Sequence, residues 1–550
     1  MSDRILVCVA WPYANYLLHV GQAAGAYLPS DIFARYHRLK GNEVLMVSGS
    51  DCHGTPITVA ADREGVEPQV IVERYHAKIL EVWDRFGISF DLYTSTLTEN
   101  HYAVTQDMFL RLKENDLLYP RTEEYLYDPE ADRFLPDRYV EGTCPNCGYA
   151  EARGDQCDNC GKTLDAVELI NPRSKISGAT PILRPSEHHF LRLSAMEGQL
   201  KEWVSKQAHW RRNVLNFTLG MLNEGLKDRA ITRDISWGVP VPVEGYEGKR
   251  IYVWFDAVIG YLSASKEWAE STGDPDAWRR FWEDPAVRSY YFIGKDNIPF
   301  HTVIWPMMLL GYGGLNIPYD VPANQYVNFG SGQKQSKSKG TGNWMLELLD
   351  TYDADVIRFY LTSIMPESTD SDFREDDLIR ANNDVLISTW GNLANRVISM
   401  LHRYFGGVVP ETGPLAPESA ALLREAQAAF DSAGAEFEAC HFRAGLQEGL
   451  KVAQAANKYL DDRAPWKAVK TDLAHAGETL ATALSVINAL KVILHPVLPF
   501  STAQLHSDLG LPGELKDHGW AYRALPAGTA LGPVRPLYTK IETEPVGAAR

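Results

Sequence analysis

Residues 5–25, ILVCVAWPYANYLLHVGQAAG, decide the fold. Ile5 to Ala10 is a continuous apolar run of the kind a strand shows when both faces of its sheet are covered, and Trp11-Pro12 stops it. A turn through Asn15 follows, and His19-Val20-Gly21-Gln22 is predicted to open a helix that runs to about Arg38. A strand that hands the chain to a helix start makes an anion site, because unpaired N–H groups and the positive dipole end face the ligand. Small residues at Gly21, Ala23, Ala24 and Gly25 would let a large ligand approach the backbone. The expected ligand is the phosphate chain of a nucleoside triphosphate, with Mg2+ accompanying it.

Working outward, Gly41-Asn42 reads as a turn and Val44 to Val47 as a second strand, ending in Gly49-Ser50-Asp51-Cys52-His53-Gly54. Strand, helix, strand is a βαβ unit, and ligand groups belong at the carboxyl edge of its parallel sheet. Asp51 and His53 should therefore face the same crevice as His19; capping of a helix starting near Pro56 is the other reading of Asp51. Beyond the first unit, Ile251 to Ala257, Tyr290 to Asp296 and Tyr326 to Phe329 read as further strands. Tyr13, Trp254, Tyr261 and His301 fall at strand ends or early helical turns, which points to a shared pocket.

Between these halves lie Cys144-Pro-Asn-Cys147-Gly148 and Cys157-Asp-Asn-Cys160-Gly161. Two C-x-x-C-G knuckles supply four thiolates for tetrahedral Zn2+ with no open coordination position, so the metal should be structural. The other three cysteines, Cys8, Cys52 and Cys440, are scattered, which suits a reducing compartment rather than a disulfide framework. The 550-residue chain has no low-complexity block and is long enough for several domains. No basic flank and cleavage site opens it and no apolar stretch reads as a membrane span, so a cytoplasmic protein with no membrane contact is expected. A net charge of −17 argues against non-specific nucleic-acid coating but leaves room for a local basic patch.

Gly330 to Gly340 carries Lys334, Lys337 and Lys339 among glycines and serines. Such a segment is either a solvated charge run or a cationic loop able to close over a polyphosphate. From about 381 the pattern turns to three- and four-residue apolar spacing, over Leu386–Leu401, Glu418–Ala435, Phe442–Leu460 and Leu473–Leu494, which predicts a helical bundle. Val534 to Ile541 reads as a short β-type run packing back on the body.

Taken together these residues resemble the methionyl-tRNA synthetase family of class I aminoacyl-tRNA synthetases. The likeness runs from Arg4 to about Glu542. It rests on WPYAN (11–15) before HVGQ, GSDCHGTPI (49–57), the knuckle, ITRD (231–234), VWFDAVIGY (253–261), FIGKD (292–296), FHTVIWP (300–306), KQSKS (334–338) and WGNLANR (390–396). The resemblance implies an α/β, Rossmann-type parallel-sheet catalytic domain in two halves, 1–115 and 231–330, split by a connective insertion, 116–230, with its knuckle near 140–165. A linker domain (331–380) with the KQSKS loop, an α-helical anticodon-binding domain (381–515) and a C-terminal segment (516–550) complete it.

The activity implied is ATP-dependent formation of methionyl adenylate and transfer of methionine to tRNA(Met). On the family's pattern His19, Gln22, Lys334 and Lys337 serve catalysis, and Gly294 and Asp296 join His19, Gln22 and Lys337 around ATP. Ala10, Trp11, Tyr13, Asp51, Arg233, Trp254, Ala257, Tyr261 and His301 take methionine, with Asp51 receiving the amino group and Arg233 as its ion-pair partner. Asn392, Arg396 and Trp466 read the CAU anticodon. Gln22 stands where the family usually has a second histidine, Gln335 where methionine is usual, and Asn15-Tyr16 replaces Asn-Gly; Val258 and Asn297 also depart from the pattern in some members. Gln22 keeps a second reading open, a tRNA-binding relative with weak or lost adenylation. The chain ends without an appended oligonucleotide-binding domain, so a monomer is expected.

Overall fold

The computed structural model describes all residues except 1, 137–138, 155–156, 158, 161–163, 165, 330–332, 335–343 and 543–550, and only the backbone of Gln333 and Lys334. Strand β1 (Arg4–Val9) lies at the centre of a five-stranded sheet, buried along its length as its unbroken apolar run requires. On one side it pairs in parallel with β2 (Glu43–Ser50), which pairs with β3 (Leu92–Ser95). On the other side stands the strand Arg288–Gly294, paired in turn with Ala323–Asn324. The chain thus builds outward from β1 in one direction and then resumes on its opposite flank. The crevice between β1 and Arg288–Gly294 is a topological switch point, the place where an α/β sheet binds its ligand.

The helix after β1 starts at Val20–Gln22 (α1), passes through a π-helical turn at Ala23–Tyr27 and continues as α2 (Leu28–Leu39). Ala23, Ala24 and Ala26 are buried, and the Ala24 carbonyl accepts the Asn324 side-chain amide at 3.1 Å. These small residues therefore bring the helix onto the sheet. Of the four that the sequence assigned to ligand approach, Gly21 is the one beside His19: a Cβ there would meet the imidazole at 3.0 Å.

A second correction concerns Ile251 to Ala257. Only Arg250–Ile251 is strand, and a helix starts at Val253 and runs to Ser271. Val253, Phe255 and every residue from Asp256 to Ser265 are buried, so these turns are covered on every side and their sequence has no period to betray the helix.

The insertion is built on a long antiparallel ribbon, Leu118–Asp128 against Ile182–Leu191. A three-stranded sheet (Val140–Thr143, Ala152–Arg153 and Ile170–Ser174) is set on its end. The ten buried residues of that lobe's apolar cluster, two of them cysteines, make a small core for an independent lobe. The four knuckle cysteines converge as the spacing demands. Their sulfurs lie within 4.8 Å of one another, with Cys144–Cys160 at 3.9 Å and Cys147–Cys157 at 3.6 Å. A tetrahedral ion with sulfur ligands at about 2.3 Å holds its sulfurs about 3.8 Å apart, so the four can take one metal ion.

The carboxyl-terminal helices form the expected bundle: Asn392–Phe405, Pro417–Glu438, Phe442–Arg463 and Leu473–Leu494. Contrary to the sequence reading, Leu473–Leu494 is long and apolar enough to cross a membrane by length and composition; 94% of its most apolar window is buried inside the protein, where it serves as the bundle's central helix. Val534 to Ile541 is not a strand but irregular chain, since side chains rather than a neighbouring strand take its backbone groups. It does pack back. The Ile541 amide donates to Asn383 Oδ1 at 3.0 Å, its carbonyl accepts from Asn383 Nδ2 at 2.9 Å, and the buried Tyr538 hydroxyl lies 2.6 Å from Ser501 Oγ.

Candidate active site

At the carboxyl ends of β1 and β2 a cavity of about 850 Å3 opens. β1 delivers Ala10, Trp11 and Tyr13 to it, β2 delivers Asp51, and the start of α1 delivers His19 and Gln22. The helix Val253–Ser271 adds Trp254, Ala257, Val258 and Tyr261, while Asn297 and His301 come from the turn after Arg288–Gly294. Regions almost 300 residues apart in the chain thus line one space.

The backbone explains why Trp11 forms the wall. A Cβ on Gly49 would lie 2.3 Å from its indole and one on Gly260 2.6 Å from it, so the ring fills a slot that glycines leave open on both sides. Tyr13 meets Trp254 edge-on with centroids 6.1 Å apart, and Trp254 stacks on Phe300 at 4.6 Å. Deeper in, His301 Nδ1 is 2.9 Å from the Asn297 carbonyl, to which it must donate. Its Nε2 is then the acceptor of the Tyr261 hydroxyl proton at 2.7 Å. Burial pushes the His301 imidazole down to about 4, so the ring is neutral near neutral pH. At this end of the pocket Tyr261 and His301 satisfy each other and leave an apolar, polarisable slot. A thioether fits such a slot.

Asp51 sits at the other end of this slot, 2% exposed. It does not cap the helix Thr55–Glu64, whose N-cap is Gly54. Burial pushes its carboxyl well up and the nearby Asp256 carboxylate adds to that, while the His53 N–H pulls the other way. A buried carboxylate of this kind is ready to receive a cation.

Two expectations at this end fail. His53 does not face the crevice: it is buried, and its Nδ1 donates to Asp256 Oδ2 at 2.5 Å. Arg233 forms no ion pair with Asp51 among the described residues. Its guanidinium stacks on Tyr252 at 4.2 Å, donates to the Ala230 and Thr232 carbonyls, and borders a neighbouring cavity of about 530 Å3 that shares Trp254 as its wall. Stacking on an aromatic face and backbone acceptors satisfy a guanidinium without a carboxylate.

His19 holds the first position of the helix start in extended conformation (φ −118°, ψ 163°), and its N–H donates to Gln22 Oε1 at 3.2 Å. Gln22 thereby closes the turn with its carbonyl, and its amide N–H2 remains a donor available to an anion. Trp344 forms an isolated bridge with His19, and the Met345 amide donates to the Leu18 carbonyl at 2.8 Å. Lys334 pairs through its backbone with Asn328. Lys337, Lys339 and Gln335 lie outside the described residues. Gly294 and Asp296 stand beside the cavity rather than in its wall. A Cβ on Gly294 would meet nothing within 4 Å, which leaves open space above it, and the exposed Asp296 carboxylate accepts the Tyr326 hydroxyl.

Arg63, Glu64 and Tyr75 complete the rim together with Arg153, which comes from the knuckle lobe. Sequence reasoning missed all four. Arg63, Glu64 and Tyr75 lie on ordinary helices and Arg153 on a short strand, and only the folded placement of the insertion over the cleft brings Arg153 in. In the bundle, Arg396 lies 5.2 Å from the Trp466 ring centre and 3.2 Å from Asp461, with Asn392 exposed one turn earlier on the same face. Trp466 is thrown out at a break where Ala464 adopts φ 42°.

A parallel sheet with its crevice at a switch point, interrupted by a cysteine-stapled lobe and followed by a helical bundle, is the architecture of a class I aminoacyl-tRNA synthetase. Residues 5–398 match the family described as tRNA synthetases class I (M), and residues 409–548 match the anticodon binding domain of methionyl tRNA ligase. The chain belongs to the class I (M) tRNA synthetase family. It is 53% identical to a methionine–tRNA ligase of Dehalococcoides mccartyi over 98% of both chains. It is 50% identical to one of Roseiflexus castenholzii over 98% of this chain and 97% of that one. Mycobacterium tuberculosis methionyl-tRNA synthetase in complex with methionyl-adenylate matches with a TM-score of 0.80 at 25% identity, over 97% of this chain and 99% of that one.

Proposed function

We propose that this chain is a methionine–tRNA ligase, using ATP to form methionyl adenylate and pyrophosphate and then passing methionine to tRNA(Met). One observation carries the reading: a buried carboxylate, a neutral aromatic slot and the His19 helix start share a single cavity at the sheet's switch point. Methionine would place its ammonium group on Asp51 and its thioether among Tyr13, Trp254, Ala257, Tyr261 and His301, against the wall of Ala10 and Trp11. Its carboxylate would then attack the α-phosphorus in line with departing pyrophosphate. Adenosine fits over Gly294, with Asp296 accepting from the ribose hydroxyls.

The reaction needs positioning and charge stabilisation more than covalent help. The imidazole of His19, the N–H groups of the helix start and the Gln22 amide would meet the phosphate oxygens, with Mg2+ bound to ATP. Lys334 and Lys337 are the cations assigned to the leaving pyrophosphate. The described flanks of their segment support this, since Trp344 bridges to His19 and the Val327 carbonyl would lie 3.5 Å from a Cβ on Gly21. Cys144, Cys147, Cys157 and Cys160 would hold one structural Zn2+, which supplies the lobe with the cross-link its small core lacks. The division of labour follows the boundaries read from the sequence, with catalysis in 1–115 and 231–330. A cytoplasmic setting and a single-chain working unit go with this reading.

ATP–pyrophosphate exchange tests it. Methionine should drive exchange while leucine, isoleucine, valine and cysteine do not. No exchange with any amino acid, with tRNA(Met) still bound, would hand the case to the non-adenylating relative.

The bundle has its own test. Asn392, Arg396 and Trp466 would read unpaired anticodon bases, a stacked base being worth about 1–3 kcal/mol. Trp466→Ala should raise the KM for tRNA(Met) about 5- to 150-fold and leave methionine-dependent exchange untouched. An unchanged tRNA KM would remove Trp466 from the anticodon site.

A further inference from the structure

Two arginines reach the active-site cavity from outside the sheet, and the reaction as described leaves both without a task. The first is Arg63, in the last turn of the helix Thr55–Glu64. Pro56, Val59, Ala60 and Arg63 all line the cavity, at the three- and four-residue spacing of a single helix face. Ile57 and Ala61, on the other face, are buried with Ile71 and Val72, which fixes the helix's rotation. A rise of about 1.5 Å per residue puts Arg63 about 10 Å further out along the wall than Pro56. It is exposed and makes no hydrogen bond or ion pair among the described residues.

The second is Arg153, on the strand Ala152–Arg153 of the cysteine lobe, between Cys147 and Cys157. That strand pairs with Glu141 and Gly142, and its alternation sends Ala152 into the lobe's core and Arg153 outward. The docking of the lobe turns that outward side to the cleft. The Tyr139 hydroxyl donates to Asp62 Oδ2 at 2.8 Å and lies 2.9 Å from Thr58 Oγ1, both on the helix that carries Arg63. Arg63 and Arg153 thus stand on either side of one junction, at the mouth of one cavity.

We propose that Arg63 and Arg153 together receive the outer phosphates of ATP and hold them as pyrophosphate leaves, so that the cysteine lobe supplies part of the adenylation site. The inference rests on the reading of this cavity as the site of methionine activation. A run of rings joins the arginine lip to the helix start. Tyr75 stacks on Tyr16 with centroids 5.9 Å apart, Tyr16 lies 5.1 Å from Trp344, and Trp344 lies 6.2 Å from His19. The lip therefore belongs to the His19 side of the cavity. Among the described lining residues Arg63 and Arg153 are the permanent cations, and the neighbouring Glu64 is held by Arg74 at 2.6 Å.

In the activation step an oxygen of the methionine carboxylate bonds to the α-phosphorus. The bond from that phosphorus to the bridging oxygen breaks, and its electron pair departs with pyrophosphate. Charge builds on the departing group, and cations already in place stabilise it. A guanidinium stays charged at any working pH and offers paired N–H donors to two oxygens of one phosphate.

The test is exchange on the full chain, with methionine, ATP and pyrophosphate varied in turn. Arg63→Ala and Arg153→Ala should each raise the KM for pyrophosphate and lower kcat, by about 10-fold apiece, with the KM for methionine held within about two-fold. Arg153→Lys keeps the charge without the paired donors and should recover part of the loss. Inorganic tripolyphosphate should compete with ATP, and its inhibition constant should rise in both alanine variants. If the KM for methionine rises alongside that for pyrophosphate in both variants, the arginines only support the cavity wall, and the inference fails while the ligase reading stands. If exchange is unchanged and only transfer to tRNA(Met) slows, the pair serves the terminal phosphates of the RNA and the inference fails likewise. Should Arg153→Ala not fold by its melting curve, Arg63→Ala, on a separate element, decides. A wild-type chain with no methionine-dependent exchange would overturn the parent reading and this inference with it.

Discussion

His19→Asn should lower kcat for methionine-dependent exchange about 10²–10³-fold, the loss typical of removing one transition-state charge stabiliser. Asparagine is among the best residues at a helix N-cap, so the helix start should persist and only the imidazole be lost. Asp51 and the aromatic slot are untouched by the change, so the KM for methionine should stay within a few-fold of the wild type. That split separates an interaction made in the transition state from one made with bound substrate. The seating of the ring favours a large effect. His19 leans over Gly21, where a Cβ would approach Nδ1 to 3.0 Å, and bridges Trp344 at the end of the lysine-bearing segment. A kcat within a few-fold of wild type would remove His19 from the chemistry.

The second large effect lies far from any substrate. Arg358, in the helix Ala354–Ser363, and Asp31, in α2, are both fully buried and paired at 2.6 Å. Arg358 also donates to the carbonyls of Phe86, Pro496 and Val497. Arg358→Met should cost about 3–5 kcal/mol, because it takes away one of the two guanidinium partners of Asp31 and leaves the Phe86, Pro496 and Val497 carbonyls without their donor in the interior. Adding Asp31→Leu should recover only part of it, since those carbonyls stay unpaired. Burial by itself would push the Asp31 carboxyl up, but Arg35 and Arg358, with the Ser89 hydroxyl, hold it well below the usual carboxylate range. The folded chain therefore binds this proton less readily than the unfolded one. Its contribution is full above the unfolded value of about 3.9 and is lost as pH falls below it. In Arg358→Met the depression weakens, so the gap to wild type should be widest near neutral pH and should close on acidification. Denaturant unfolding at pH 7 and pH 4 reads both results. A gap under about 1 kcal/mol at pH 7, or one that widens in acid, would contradict the account.

Much of the site was legible because it depends on local grammar. Ile5 to Ala10 announces a strand covered on both faces, the knuckle cysteines carry their geometry in their spacing, and Asp51 stands where β2 ends. What was not legible depends on long-range partners. His53 lies two residues from Asp51, yet it turns inward because Asp256, 203 residues on, supplies a carboxylate there. Arg233 took the ring of Tyr252 instead of Asp51 for a similar reason. The run from Val253 looked like a strand because a helix buried on every side hides its period. Lys337, on which the cationic-loop reading leans, falls outside the described residues.

The π turn at Ala23–Tyr27 gives the helix after β1 two independent phases. An inserted residue shifts everything beyond it by about 100° around the axis, since an α-helix makes a turn every 3.6 residues. Gln22 lines the cleft while Asp31 and Tyr36, further along and about 140° apart around the axis, point at Arg358 and Glu438. A single uninterrupted screw would have had to serve both directions with one register. With the offset, the docking end could drift in sequence without swinging the reactive end off its target.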